Sequence, residues 1–115
     1  MLKIYHNPKC SKSREGLNYL REKGYEYQVI YYLEKPISAG DLKTILMKLN
    51  LKPSQVIRTQ DKLYRRELKG KSFNDEEWIR ILVEYPRLLQ RPIVEGKYKA
   101  VIAVPAERSE EVMKG

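Results

Sequence analysis

Cysteine and histidine each occur once in the 115 residues, as Cys10 and His6. One cysteine excludes an internal disulfide and fits a reducing compartment, so any redox step must draw its second thiol from another molecule. With no CxxC, no HExxH and no second histidine, the residues of a familiar metal site are missing, and no bound cofactor is expected. No glycine-rich loop of the phosphate-cradling kind is present. Long apolar runs are also missing: the longest, Ala100 to Ala106, is seven residues and contains Pro105, against ~20 for a membrane span. The first residues lack the basic stretch, apolar stretch and cleavage site of a secretory signal. The expected location is cytoplasmic.

Acidic residues are in the minority, 15 against 23 lysines and arginines, which leaves a net charge of +8. Such a surplus fits a polyanion, an oxyanion substrate or an acidic protein partner. The basic residues are spread along the chain, denser only at Lys62, Arg65, Arg66, Lys69 and Lys71. No nucleic-acid motif accompanies them, and direct nucleic-acid binding is not expected. At 42% hydrophobic and 33% charged residues, the chain has enough apolar surface for one soluble domain spanning 1–115.

The periodicity gives an order of elements. Leu2, Ile4 and Tyr5 suit a strand that Asn7-Pro8 breaks, and a helix over 11–23 follows, closed by Gly24. Tyr25 to Leu33 reads as the second strand. Ser38 with Asp41 opens a helix whose Leu42, Ile45, Leu46 and Leu49 share one face. Pro53 begins a short helix, and a polar, weakly patterned stretch runs to Gly70. Asn74 with Glu77 then caps a helix carrying Trp78, Ile81, Leu82 and Tyr85, which Pro86 stops or restarts. Ile93 to Glu95 and Lys99 to Ala103 read as strands joined at Gly96, with a final helix from Ser109. A β-α-β start makes parallel neighbours, the late hairpin is antiparallel, and the expected architecture is α/β with a mixed four-stranded sheet flanked by helices.

Cys10 follows a strand and precedes Ser11 at a helix start, where unsatisfied N–H groups and the helix dipole favour a thiolate. Lys9, Lys12 and Arg14 surround it and His6 lies four residues upstream, so His6 and Arg14 are candidates for lowering its pKa. The competing reading is a small buried hydrophobe, which so charged a turn disfavours. Lowering a thiol pKa from ~8.5 to ~6.5 raises the thiolate fraction at pH 7 about 25-fold, but the lower basicity takes back about eightfold. Binding and orienting the electrophile must therefore supply most of the rate, which calls for anion donors. Arg14 lies four positions after Cys10, one short of the familiar phosphatase loop, and that reading is set aside.

The segments IYHNPKCSKSR (4–14), YYLEKP (31–36), VIR ending at Arg58 and LLQRPIV (88–94) resemble the glutaredoxin-linked arsenate reductase family over essentially the whole chain. The resemblance implies a thioredoxin-like fold with an inserted helical segment at about 50–90. It implies Cys10 as nucleophile and Arg58 and Arg91 as oxyanion clamps, beside which the helix start at Ser11, Lys12 and Ser13 is expected to supply N–H donors. It also implies a cis peptide at Pro92, with glutathione as co-substrate and glutaredoxin as partner. The chain departs from the family at Val104, where the well-characterised reductases carry a third arginine, with Lys12 or Lys99 as possible substitutes.

Two other readings share the resemblance. Spx-type regulators have this fold and bind RNA polymerase, but carry a CxxC where this chain has Cys10-Ser11-Lys12-Ser13. Monothiol glutaredoxins have a C-x-x-S and act on glutathione mixed disulfides, without an anion clamp.

Overall fold

The computed structural model describes residues 1–113. The chain divides into two compact units, one built from Met1–Lys35 with the segment from Arg91 onward, the other from Pro36–Gln90.

In the first unit, β1 (Leu2–Tyr5) buries Leu2, Ile4 and Tyr5 and turns Lys3 outward. It leads into α1 (Ser11–Glu22), which ends in a Schellman closure: Gly24 adopts φ +74°, its N–H donates to the Arg21 carbonyl at 3.1 Å, and the Tyr25 N–H to that of Leu20 at 3.2 Å. This closure and a turn from Tyr31, whose carbonyl accepts the N–H groups of Glu34 and Lys35, trim the expected second strand at both ends. The result is β2 (Tyr27–Ile30), parallel to β1 with Leu2 opposite Tyr27.

β3 (Ile93–Glu95) runs antiparallel to β1, and β4 (Ala100–Ile102) antiparallel to β3. The sheet order is β2-β1-β3-β4, the mixed four-stranded α/β sheet expected. A 3-10 turn at Ala106–Ser109 precedes α4 (Glu110–Met113). The core beneath the sheet comprises Leu2, Ile4, Leu20, Val94, Val101, Ala103 and Val112. Each large aliphatic among them contributes roughly 1.5 to 3 kcal/mol by leaving water. The Tyr25 hydroxyl donates to the Glu110 carboxylate at 2.6 and 2.7 Å and the Tyr19 hydroxyl at 2.8 Å, which ties the last helix to α1 and the start of β2.

The expected helical segment at about 50–90 lies inside the second unit, which begins earlier, at Pro36, and takes in α2 (Ala39–Leu49). Ser38 Oγ accepts the Asp41 N–H at 3.1 Å as the sequence implied. A 3-10 turn at Pro53–Val56 and a π-helical turn at Tyr64–Leu68 follow, the latter where the sequence showed no clear period. α3 (Asp75–Glu84) begins with a reciprocal capping box between Asn74 and Glu77, bonds of 2.8 and 2.9 Å. Its buried residues are Trp78, Ile79 and Leu82. Tyr85, expected to be carried by this helix, lies just beyond it and is 40% exposed, because the residue before Pro86 leaves helical geometry at φ −124°. α2 packs against α3. Among the described residues no helix is long and apolar enough to cross a membrane.

α1 approaches Pro92 more closely than any side chain but glycine permits: a Cβ on Gly16 would lie 2.7 Å from Pro92 Cγ. Gly16→Ala gains up to about 1 kcal/mol of helix propensity, but wedging a methyl against a ring carbon costs about 1 to 3 kcal/mol. The variant is expected to unfold at lower denaturant concentration than the parent, and an equal or higher midpoint would show that the contact relaxes freely.

Candidate active site

The loop leaving β1 is held by its backbone before any side chain acts. The His6 N–H extends the sheet ladder to the Ile30 carbonyl at 2.9 Å, the Asn7 side-chain oxygen accepts the Lys9 N–H at 3.1 Å, and the Cys10 N–H closes the turn onto the Asn7 carbonyl at 3.0 Å. Cys10 is then the N-cap of α1, extended at φ −100° and ψ 123°, with its carbonyl accepting the Arg14 N–H at 3.0 Å. Serine or aspartate would cap here through oxygen. The cysteine side chain makes no capping hydrogen bond as placed, and the N–H groups of the first helical turn are left to act on its charged form.

Cys10 is half-buried. Burial pushes its thiol pKa up, but the Ser13 N–H, the Arg91 guanidinium through hydrogen bonding and charge, and the Lys12 N–H together outweigh burial and hold it below the ordinary cysteine value. Lys12 thus contributes its backbone, not its ammonium. Arg91 is half-buried at the start of the segment that enters β3, and its bond to Pro92 is cis, as the resemblance implied.

Behind the sulfur lies Ser13, fully buried. Its hydroxyl oxygen accepts the Asn7 N–H at 3.0 Å and is hydrogen-bonded to His6 Nδ1 at 2.7 Å. His6 is itself 3% exposed, with its ring edge-on to Tyr31 at 5.8 Å. Burial lowers the His6 pKa, a hydrogen bond with the Ser13 backbone raises it, and the charge of Arg14 lowers it, with the net result below the ordinary value. At neutral pH His6 is an uncharged imidazole that fixes Ser13, not a cation beside the thiolate. Arg14, the other expected tuning residue, donates from Nη1 to the Pro8 carbonyl at 2.8 Å, and its charge bears on His6. Ser11 is exposed at the first helical position.

Of the residues singled out in the sequence, Cys10, Lys12, Ser13, Arg91 and His6 are linked in one unit, either at the sulfur or through Ser13. Arg58 belongs to the other unit, where its guanidinium pairs with Asp61 at 3.4 Å. Two features escaped sequence reading. The buried Ser13 hydroxyl looks like any helix-start serine, and Asp61, also buried, sits in a stretch without periodic signal. Among the described residues no group of His, Cys, Asp and Glu side chains forms a metal-binding cluster.

The ArsC family profile matches residues 5–112. The chain belongs to the ArsC family. It is 41% identical to the uncharacterized protein YfgD of Escherichia coli K12, over 97% of this chain and 96% of that one. It is 38% identical to an arsenate reductase of Neisseria meningitidis serogroup B, over 97% of each chain. Among solved structures, the arsenate reductase from Vibrio cholerae superposes with a TM-score of 0.91 at 38% identity, covering 96% of both chains. These likenesses support the thioredoxin-like α/β fold with its mixed sheet.

Within this ArsC family chain, Val104 is half-buried two residues beyond β4, and its bond to Pro105 is cis. Lys99 precedes β4, so the three-residue strand, about 10 Å long, separates it from Val104. Lys99 is poorly placed to stand in for an arginine there.

Two measurements follow from this geometry. The iodoacetamide rate against pH should show a Cys10 midpoint below that of the same cysteine in the urea-unfolded chain, and Arg91→Gln should move it upward; an unmoved midpoint would remove Arg91 from the thiolate's support. Because the folded pKa of His6 is depressed below 6.5, the unfolded chain binds more protons just below pH 6.5, and this contribution to stability, intact above pH 6.5, is lost as pH falls through the folded value. Urea midpoints should therefore drop between pH 7.5 and pH 5.5 more in the parent than in His6→Gln, and parallel curves would sink this assignment.

Proposed function

We propose that this chain is an arsenate reductase-like oxidoreductase that turns over through the single thiolate of Cys10, with glutathione as co-substrate and glutaredoxin as its protein partner. The observation that carries the reading is the helix-start thiolate, favoured by the Ser13 N–H and the Arg91 guanidinium. The same donors suit a tetrahedral oxyanion arriving at the sulfur. The named activity of the Neisseria meningitidis and Vibrio cholerae relatives supports arsenate as the substrate. A reducing cytoplasm would keep Cys10 as a thiol and supply the glutathione.

Reduction of As(V) to As(III) takes two electrons, and the sequence contains one sulfur nucleophile. The Cys10 thiolate attacks arsenic, an arsenate hydroxyl leaves as water with one added proton, and an S–As bond forms. A glutathione thiol then loses its proton and attacks the Cys10 sulfur. The S–As bond breaks with its electron pair going to arsenic, arsenite departs carrying the proton, and Cys10 is left as a mixed disulfide with glutathione. A second thiol, from glutaredoxin or another glutathione, frees Cys10 by exchange. Arg91 holds the anion during the first step, a charge-assisted contact worth roughly 1.5 to 3 kcal/mol.

NADPH consumption in a mixture of arsenate, glutathione, glutaredoxin and glutathione reductase tests the reading. Steady turnover is expected from the parent, none from Cys10→Ser, and about a tenfold to hundredfold loss in kcat/KM from Arg91→Ala. Turnover by Cys10→Ser, or a parent silent with arsenate yet active on a glutathione mixed disulfide, would overturn it.

A further inference from the structure

The densest run of positive charge in the sequence, Lys62, Arg65, Arg66, Lys69 and Lys71, is not used by the Cys10 chemistry. It lies in the second unit, on the π-helical turn Tyr64–Leu68 and its flanks, and all five residues are exposed. Arg65 is tied back, with Nη2 donating to the Gln60 carbonyl at 2.7 Å. The side chains of Lys62, Arg66, Lys69 and Lys71 meet no carboxylate among the described residues. The adjoining Asp61 does not neutralise them, because it is buried and engaged by Arg87 Nε at 3.1 Å and Arg58 Nη1 at 3.4 Å.

The same turn builds a hollow. The Lys69 N–H donates to the Tyr64 carbonyl at 2.8 Å, five residues back, the wide pitch of a π-turn. Gly70 then reverses the chain at φ +82°, and the Lys71 N–H returns to the Leu68 carbonyl at 3.1 Å. Leu63, Glu67, Leu68, Lys71 and Tyr85 line a hollow of about 440 Å³, within the ~300 to 1,000 Å³ of ligand pockets. Both leucines are half-buried and Tyr85, just beyond α3, is exposed. Apolar surface therefore stays open to water beside unpaired cations.

Charge discriminates among occupants. A second copy would bring its own +8 to this face and be repelled. A nucleic-acid strand needs stacking rings along its path, whereas this hollow has one ring and a Glu67 carboxylate that repels phosphate. We propose that the π-turn and its hollow dock an acidic protein segment carrying one aromatic anchor. The anchor packs among Leu63, Leu68 and Tyr85 and donates its N–H or O–H to Glu67, while flanking carboxylates pair with Lys62, Arg66, Lys69 and Lys71. The cations supply approach and orientation, and the hollow supplies selection. The inference is independent of the Cys10 chemistry.

The probe is a fluorescein-labelled peptide of glutamates around one central tryptophan, titrated with the full chain and read by anisotropy. Saturable binding is expected, weakened about tenfold or more between ~0.05 and ~0.5 M salt. Combining Lys62→Glu, Arg66→Glu and Lys69→Glu, all at exposed positions, should abolish it. Exchanging the peptide's tryptophan for alanine should cost about tenfold with the parent and less than twofold with Tyr85→Ala. Leu68→Ala carries the same expectation and replaces Tyr85→Ala if that variant does not fold. A peptide that does not bind, binding unmoved by the three charge reversals, or tryptophan and alanine peptides bound equally by the parent overturns the proposal. So does a tryptophan preference that survives in the hollow variant. An oligothymidylate of matching charge that binds more tightly than the peptide also overturns it, in favour of nucleic acid.

Discussion

The loop that carries Cys10 depends on one buried hydroxyl. Ser13 Oγ joins His6 Nδ1 at 2.7 Å and the Asn7 N–H at 3.0 Å, which ties the strand exit to the first turn of α1. The N–H of that same serine favours the Cys10 thiolate. Side chain and backbone of a single residue thus perform separate tasks, with the hydroxyl aiming the loop and the amide stabilising charge. Because Ser13 and His6 are both buried, solvent does not compete for these bonds, and a neutral imidazole suits them better than a cation that would need its own counter-charge.

Charge in this chain is organised by where it is buried more than by how much there is. The sequence carries +8 overall, yet the thiolate is favoured by two backbone amides and one arginine, while Lys9, Lys12 and Arg14 are exposed around it. Exposed cations act through water and salt and lose most of their force within about 10 Å. In the second unit the same logic is inverted, with a buried carboxylate gathering two arginines.

Much was legible in the residues. Gly24 and the Asn74 and Glu77 pair mark helix boundaries by short-range backbone chemistry, and both lie where the sequence placed them. Cys10 at a helix N-cap followed from a strand, a proline-containing break and a helical period in succession. The part played by His6 was not legible: the company of Lys9, Lys12 and Arg14 around Cys10 made it look like a further source of charge, and only its burial against Ser13 makes it a neutral brace. Tyr85 was expected on the same helix as Trp78 and Leu82, but that helix ends at Glu84, just ahead of Pro86.

By itself the sequence determined the order of elements, the helix start that carries Cys10, and the absence of any internal disulfide, since capping, periodicity and residue count act locally or not at all through space. Tertiary structure decided which cations reach the sulfur, what His6 does, and what holds Arg58. Those outcomes depend on burial and on partners far along the chain, as when Arg91 joins the sulfur of Cys10 and Arg87 joins the carboxylate that Arg58 faces. Hydrogen bonds between such distant residues leave no period in the sequence, and the pKa of each group is set by the surroundings that packing supplies.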